Sequence, residues 1–342
     1  MRAVVYDRIG GEPEVRDVPA ARAPDGGVVI DVRATGLCRS DWHAWVGHDD
    51  IALPHVPGHE FAGTVRALGR GVTRWRVGDR VTAPFVEGCG ACEWCLDGHA
   101  QVCPSQQQPG FTHAGSFAEQ VVIHAADTNL VRLPAGVSFE AAASLGCRFA
   151  TAYRALVGRA AVKEGEWVTI VGAGGVGLSA TMIALALGAR VVCVDRNREA
   201  LAVASRLGAE HVLSADGDAA AAIQDLTGGA HVSIDAVGSE QTAATAIRSL
   251  RRLGRHAQVG LLASDPRLPM VRVIAWELTL LGSHGMAARD YPPMLALIES
   301  GALRPAELIE RVVSLDEAAR LLPVFDTLPV AGMTLIDPLA GA

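Results

Sequence analysis

The chain has 342 residues, of which 50% are apolar and 20% charged, with 37 Gly and 17 Pro. That size and apolar content exclude a disordered chain and a disulfide-stapled miniprotein, and they predict two domains. The net charge of −7, with no run of Lys or Arg long enough to make a basic patch, speaks against nucleic acid as the main partner.

Arg2 and Asp7 bracket a stretch too short to be the apolar core of a signal peptide. Trp167 to Ala189 carries no charge over 23 residues, long enough to cross a bilayer. Five glycines interrupt it (Gly172, Gly174, Gly175, Gly177 and Gly188), four of them within six positions, which predicts a buried strand, turn and helix instead. The expectation is a cytoplasmic protein with no membrane segment. Its seven cysteines then read as ligands or buried thiols, not disulfides.

The first half reads as strands separated by Gly and Pro: Val28–Ala34, Phe61–Leu68 and Arg80–Pro84. Such spacing predicts a barrel or a partly open antiparallel sheet. Near residue 150 the pattern changes. Strands at Trp167–Val171, Arg190–Val194, Val212–Leu213, Val232–Ile234 and His256–Val259 alternate with helical stretches at Val176–Leu187 and Glu199–Leu207. Alternation of this kind predicts a parallel sheet with helices on both faces. The last apolar run, Met333–Ile336, is placed to rejoin the first domain.

Gly172-Ala173-Gly174-Gly175-Val176-Gly177 fits G-x-G-x-x-G, follows a strand and opens a helix. In that context the glycines allow a tight turn on which a pyrophosphate meets the helix N-terminus. Asp195 closes the next strand, 18 residues after Gly177. Its carboxylate suits the two ribose hydroxyls of NAD and repels a 2′-phosphate, although Arg196 and Arg198 stand close enough to admit some NADP.

Cys89, Cys92, Cys95 and Cys103 give C-x2-C-x2-C-x7-C. Four thiolates this close suit one tetrahedral Zn²⁺ in a closed, structural site. The spacing also echoes an iron–sulfur run, from which the seven-residue gap departs. Of the remaining cysteines, Cys193 reads as core. Cys38, His59 and Cys147 together suit a catalytic zinc with three protein ligands and an open fourth position. Two thiolates and a neutral imidazole cancel the charge of Zn²⁺ and leave a strong Lewis acid, whereas four thiolates leave −2 and no opening.

With these motifs in order, the sequence resembles a zinc-dependent alcohol dehydrogenase of the medium-chain dehydrogenase/reductase family. The family signature reads Gly58-His59-Glu60-x2-Gly63-x5-Gly69-x2-Val72, preceded by the Cys38 segment and followed by the four-cysteine lobe, Leu145–Thr151 and the nucleotide turn. The resemblance implies an α/β fold: a GroES-like, β-rich catalytic domain over 1–148 with a zinc lobe at about 86–105, a Rossmann doubly wound parallel-sheet domain over 149–284, and a return to the catalytic domain over 285–342. The active site would lie between the two domains.

It further implies alcohol oxidation, and the reverse, by hydride transfer to NAD. Ser40 would take the substrate proton and pass it through the cofactor ribose to His43. Glu60 would be a neighbouring carboxylate or a transient ligand, and Asp41 would orient His59. Arg39 would meet the pyrophosphate, Thr151 and Val176 the nicotinamide, and Val237, Val259 and Gly260 its edge. Where many relatives carry an Arg that grips the pyrophosphate, this chain has Met333, which predicts weaker cofactor binding. Trp45, Phe85 and Phe111 would border a pocket for an apolar or aromatic alcohol. A polyol dehydrogenase and a non-catalytic zinc-binding relative are the rival readings. The stretch Leu278–Leu281 suggests a dimer, or a homotetramer built as a dimer of dimers.

Overall fold

A computed structural model describes residues 1–328 and 331–341. Positions 329, 330 and 342 of the expected C-terminal return lie outside the described residues. The chain divides into two compact units. The first takes Met1–Ala150, Gly285–Leu328 and the chain from Met333 on; the second is Thr151–His284 with residues 331 and 332. No helix among the described residues is long and apolar enough to cross a membrane.

The first unit opens on an antiparallel pair, β1 (Arg2–Val5) and β2 (Glu14–Asp17). Its main sheet has seven strands: β3 (Val28–Leu37), β4 (Phe61–Leu68), β5 (Arg80–Thr82), β6 (Gln120–Ile123), β7 (Val131–Arg132), β14 (Ile309–Val313) and β15 (Met333–Ile336). The order is β14-β15-β3-β4-β5-β7, with β6 branching onto β3. Val28, Ile30, Phe61, Val65, Val81, Val121 and Ile123 pack one core of this sheet, and Tyr6, Leu37, Phe117, Leu315 and Ile336 pack another. β15 pairs antiparallel with the end of β3, Thr334 opposite Leu37. The last strand therefore braces the residue just before Cys38.

The second unit is one parallel sheet of six strands: β8 (Trp167–Val171), β9 (Arg190–Asp195), β10 (His211–Ser214), β11 (Ala230–Asp235), β12 (Leu250–Gln258) and β13 (Thr279–Gly282), in the order β10-β9-β8-β11-β12-β13. From β8 the chain winds first to β9 and later to β11 on the other side, so the strand order reverses there. In open α/β sheets ligands bind beyond the carboxyl ends of the strands at such a point. The helices have ordinary stops and starts: Asn197 Oδ1 caps Arg198–Leu207 by accepting from Glu199 N and Ala200 N, and Gly208 ends it in the left-handed region. β12 begins six residues before the expected His256–Val259, and its first half, Arg251–Leu253, is exposed and carries no apolar run to betray it.

Candidate active site

Three segments of the first unit deliver the centre. β3 ends at Leu37, Cys38 follows it, and the helix Arg39–Val46 starts immediately after Cys38. His59 leads into β4. Cys147 rides on a π-helical turn, Leu145–Phe149, a wide helical geometry that recurs at functional sites. A donor atom from each of Cys38, His59 and Cys147 lies within 4.8 Å of the other two.

Asp41 organises the group. Its fully buried carboxylate accepts from Cys38 N (2.9 Å), Gly58 N (3.1 Å) and His59 Nδ1 (2.9 Å). A carboxylate can only accept, so His59 carries its proton on Nδ1 and turns the lone pair of Nε2 inward. That Nε2 is buried and has no hydrogen-bond partner. An orphaned buried nitrogen facing two thiols is costly unless a cation takes it, which fits Zn²⁺. Between the thiols, the hydrogen bond from Cys147 holds Cys38 well below the ordinary thiol range, and the same contact raises Cys147.

Glu60, expected as a neighbouring carboxylate or a transient ligand, is buried beside His59; its carboxylate forms an ion pair with Arg148 and accepts from Arg148 N at 2.8 Å. Arg148 went without a role in the sequence because its partner lies 88 residues away; an Arg inside the apolar run Ala141–Ala150 was the available sign.

Ser40 Oγ stands 4.0 Å from Cys38 Sγ. His43 follows one turn later on the same helix, with its Nδ1 3.1 Å from His48 Nδ1. Burial, helped by His48 and Arg39, holds the His43 imidazole below the ordinary histidine range. Arg39 forms an ion pair with Asp326; both are exposed, so the pair is weak and exchangeable. Phe85 and Phe111 flank His59, with ring centroids 6.1 and 5.2 Å from the imidazole. Trp45 instead donates its indole N–H to Gly11 O (2.7 Å) and packs on the cluster around Tyr6 and Phe117. Met333 is wholly buried in β15.

The four-cysteine loop is also assembled as a cage. Cys89 and Cys95 sulfurs are 4.0 Å apart, and those of Cys92 and Cys103 are 3.7 Å apart. Tetrahedral zinc with Zn–S bonds of about 2.3 Å needs sulfur–sulfur edges of about 3.8 Å. Backbone N–H groups of Cys89 and Cys92 point at Cys103 and Cys89 sulfurs, each at 3.4 Å.

In the second unit, Gly172 bends the chain after β8 at φ +101, and a Cβ on Gly177 would lie 1.7 Å from Gly172 O. Gly174, by contrast, opens onto free space just before the 12-residue helix Gly175–Ala186. A turn this close to its helix, with open space before the first N–H groups, fits a pyrophosphate. Val176 is the second residue of that helix. Asp195 ends β9 and accepts from Ala173 N and Asn197 N, which fixes its carboxylate at the edge of the turn. Arg196, just beyond β9, is exposed. Val237 and Gly238 N both donate to Asp235 Oδ1 at the end of β11, and Gly260 N donates to Asp235 O. Val259 precedes Gly260 at the same edge, and Thr151 is buried at the start of the unit.

One chain thus carries a dinucleotide-type sheet and a two-thiol, one-imidazole centre, the equipment of a metal-dependent, nucleotide-linked oxidoreductase. Residues 24–135 match the alcohol dehydrogenase GroES-like domain, and residues 175–300 match the zinc-binding dehydrogenase domain. An alcohol dehydrogenase of Geobacillus stearothermophilus is 33% identical over 330 residues, covering 95% of each chain. Among solved structures, alcohol dehydrogenase TADH from Thermus sp. ATN1 superposes with a TM-score of 0.91 at 31% identity, covering 98% of this chain and 99% of that one. An NAD-dependent alcohol dehydrogenase superposes at 0.89 and 32% identity with the same coverage. The chain belongs to the zinc-type alcohol dehydrogenases of the medium-chain dehydrogenase/reductase family. It is an oxidoreductase, and its chemistry is that of NAD-linked alcohol oxidation and the reverse.

Proposed function

We propose that this enzyme depends on two cysteine-bound zinc ions, one catalytic and one structural, and that its preferred substrates are apolar or aromatic primary alcohols. The observation that carries the reading is the unpartnered Nε2 of His59, presented to Cys38 and Cys147 by the Asp41 hydrogen bond. Bound there, zinc supplies Lewis-acid polarisation of the alcohol oxygen, and NAD supplies the hydride acceptor.

The protein's own residues do the rest. Cys38, His59 and Cys147 hold the ion and leave a position for substrate. Phe85 and Phe111 give the centre apolar walls. Ser40 accepts the hydroxyl proton, and His43, kept neutral by burial, takes it on towards solvent. Cys89, Cys92, Cys95 and Cys103 hold the structural ion. Gly172–Gly177 cradle the pyrophosphate and Asp195 selects NAD by accepting from the ribose. Arg39 reaches the pyrophosphate by exchanging Asp326 for it. Thr151, Val237, Val259 and Gly260 border the nicotinamide.

The assembly we propose is a dimer or a dimer of dimers. β13 is the edge strand of its sheet and carries exposed Leu280, and exposed Val271 and Ile274 stand on the helix Met270–Ala275 that precedes it in the chain. Sedimentation should report a two- or four-chain particle, and a monomer would end this part of the reading. The catalytic part is tested by metal analysis together with NAD reduction across short, branched, aromatic and polyhydroxy alcohols. Two cysteine-bound zincs and preference for apolar alcohols are expected. One zinc with polyol preference would favour a polyol dehydrogenase, and no zinc would end the proposal.

A further inference from the structure

The chain around the four-cysteine loop carries a second set of metal-type donors. Glu87 stands two residues before Cys89, and its backbone is doubly bonded to Gln107 (2.8 and 2.9 Å), which ties the two flanks of the loop together. His113 comes from the following loop and His124 from the end of β6. Glu87 Oε1 lies 3.2 Å from His113 Nε2, and Oε2 lies 3.1 Å from His124 Nδ1. One donor atom from each side chain lies within 4.8 Å of the other two. The imidazoles meet edge to face, with centroids 4.7 Å apart, so that both nitrogens converge on one carboxylate.

Proton counting leaves room for a cation among them. His113 Nδ1 lies 3.1 Å from Ala114 O and Nε2 lies 3.2 Å from Glu87 Oε1, and a neutral imidazole has one proton for these two acceptors. With that proton on Nδ1, the lone pair of Nε2 faces the carboxylate, a place for a second ring proton or a metal ion. The donor set of one carboxylate and two imidazoles is one that binds zinc and related divalent ions. Glu87 is 1% exposed, while His113 and His124 are 17% and 32% exposed. The anionic ligand is therefore buried and the histidine side is open, which leaves room for water ligands and for exchange.

We propose that Glu87, His113 and His124 form a third cation site, for an exchangeable divalent ion of the zinc type, separate from both cysteine sites. By bridging residues before and after the four-cysteine loop, such an ion would clip the loop to β6. The proposal is independent of the dehydrogenase reading, and its tests read metal, not turnover.

The probe is Co²⁺. Holoenzyme with its tightly held zinc is passed through a mild chelator and then titrated by calorimetry and visible absorption. We expect about one further saturable equivalent per chain, with ligand-field bands and no thiolate charge-transfer band. Glu87→Gln and His113→Asn should each weaken that binding by at least tenfold while the cysteine-bound metal count stays fixed. No saturable equivalent, an equivalent with thiolate charge transfer, or unchanged binding in both variants would overturn the proposal. Should the variants fail to fold, an anomalous map at the cobalt edge from soaked wild-type crystals decides. A peak among the three side chains supports the site, and none there refutes it.

Discussion

Asp41→Asn tests how the centre is held. The carboxylate accepts three bonds, from Cys38 N, Gly58 N and His59 Nδ1, in a fully buried position. The amide keeps one oxygen. If that oxygen stays on His59 and Gly58, the amide nitrogen faces Cys38 N donor to donor. A charge-assisted bond is worth about 1.5–3 kcal/mol, and leaving a buried donor unmet costs about 1–3 kcal/mol. The loss of about 2.5–6 kcal/mol is smaller than most of the about 5–15 kcal/mol that holds a typical domain, so the variant should fold at reduced temperature. The imidazole keeps an acceptor but loses the carboxylate charge behind it, and with it basicity. Loss of such a ligand's supporting bond lowers metal affinity about 10–100-fold. Zinc release into a colorimetric chelator should therefore show one ion leaving about 10–100 times faster than in wild type, with the four-cysteine ion unchanged. Release of both ions at the wild-type rate would refute the role given to Asp41.

Gly177→Ala should weaken NADH binding more than tenfold, read by fluorescence titration, because its Cβ would meet Gly172 O at 1.7 Å; metal content should not change. Asp195→Ala should lower kcat/KM for NAD by about 10–100-fold, from the loss of charge-assisted bonds, and raise the value for NADP. A ratio that does not move would remove Asp195 from cofactor choice. The His43 ring, held low by burial, is neutral above its own pKa and serves as a base there. Alcohol oxidation should therefore fall only below the ordinary histidine value of about 6.5. His43→Gln should slow oxidation about tenfold near neutrality and recover as hydroxide takes over at high pH. Superimposable pH profiles would take His43 out of the relay.

The parts of the fold and site that were legible in the sequence are those whose chemistry is local. Gly172–Gly177 are dictated by a turn that admits no other residue at Gly177, and the four cysteines fall within fifteen positions. The link from Asp41 to His59 rests on the family resemblance, because the two are 18 residues apart and meet only through the fold. What escaped depends on chain neighbours that only folding brings together. The partner of Glu60, Arg148, lies 88 residues further along the chain. Glu87, His113 and His124 follow no local spacing and meet through folding contacts, the Glu87–Gln107 backbone pair and the bond from His124 N to Glu87 Oε2 at 2.7 Å among them. Arg251 and Arg252 hid the start of β12 because that end of the strand faces solvent. Met333 is buried in β15, so Met333→Arg would place a charge in the sheet as well as supply a cation.

The account turns on the ion at Cys38, His59 and Cys147 being the one that activates the alcohol. Zinc per chain, NADH binding and alcohol-dependent NADH formation should be measured on wild type and Cys147→Ser side by side. The variant should lose one zinc and its turnover while it still binds NADH as wild type does. Turnover that persists after that zinc is gone would contradict the account.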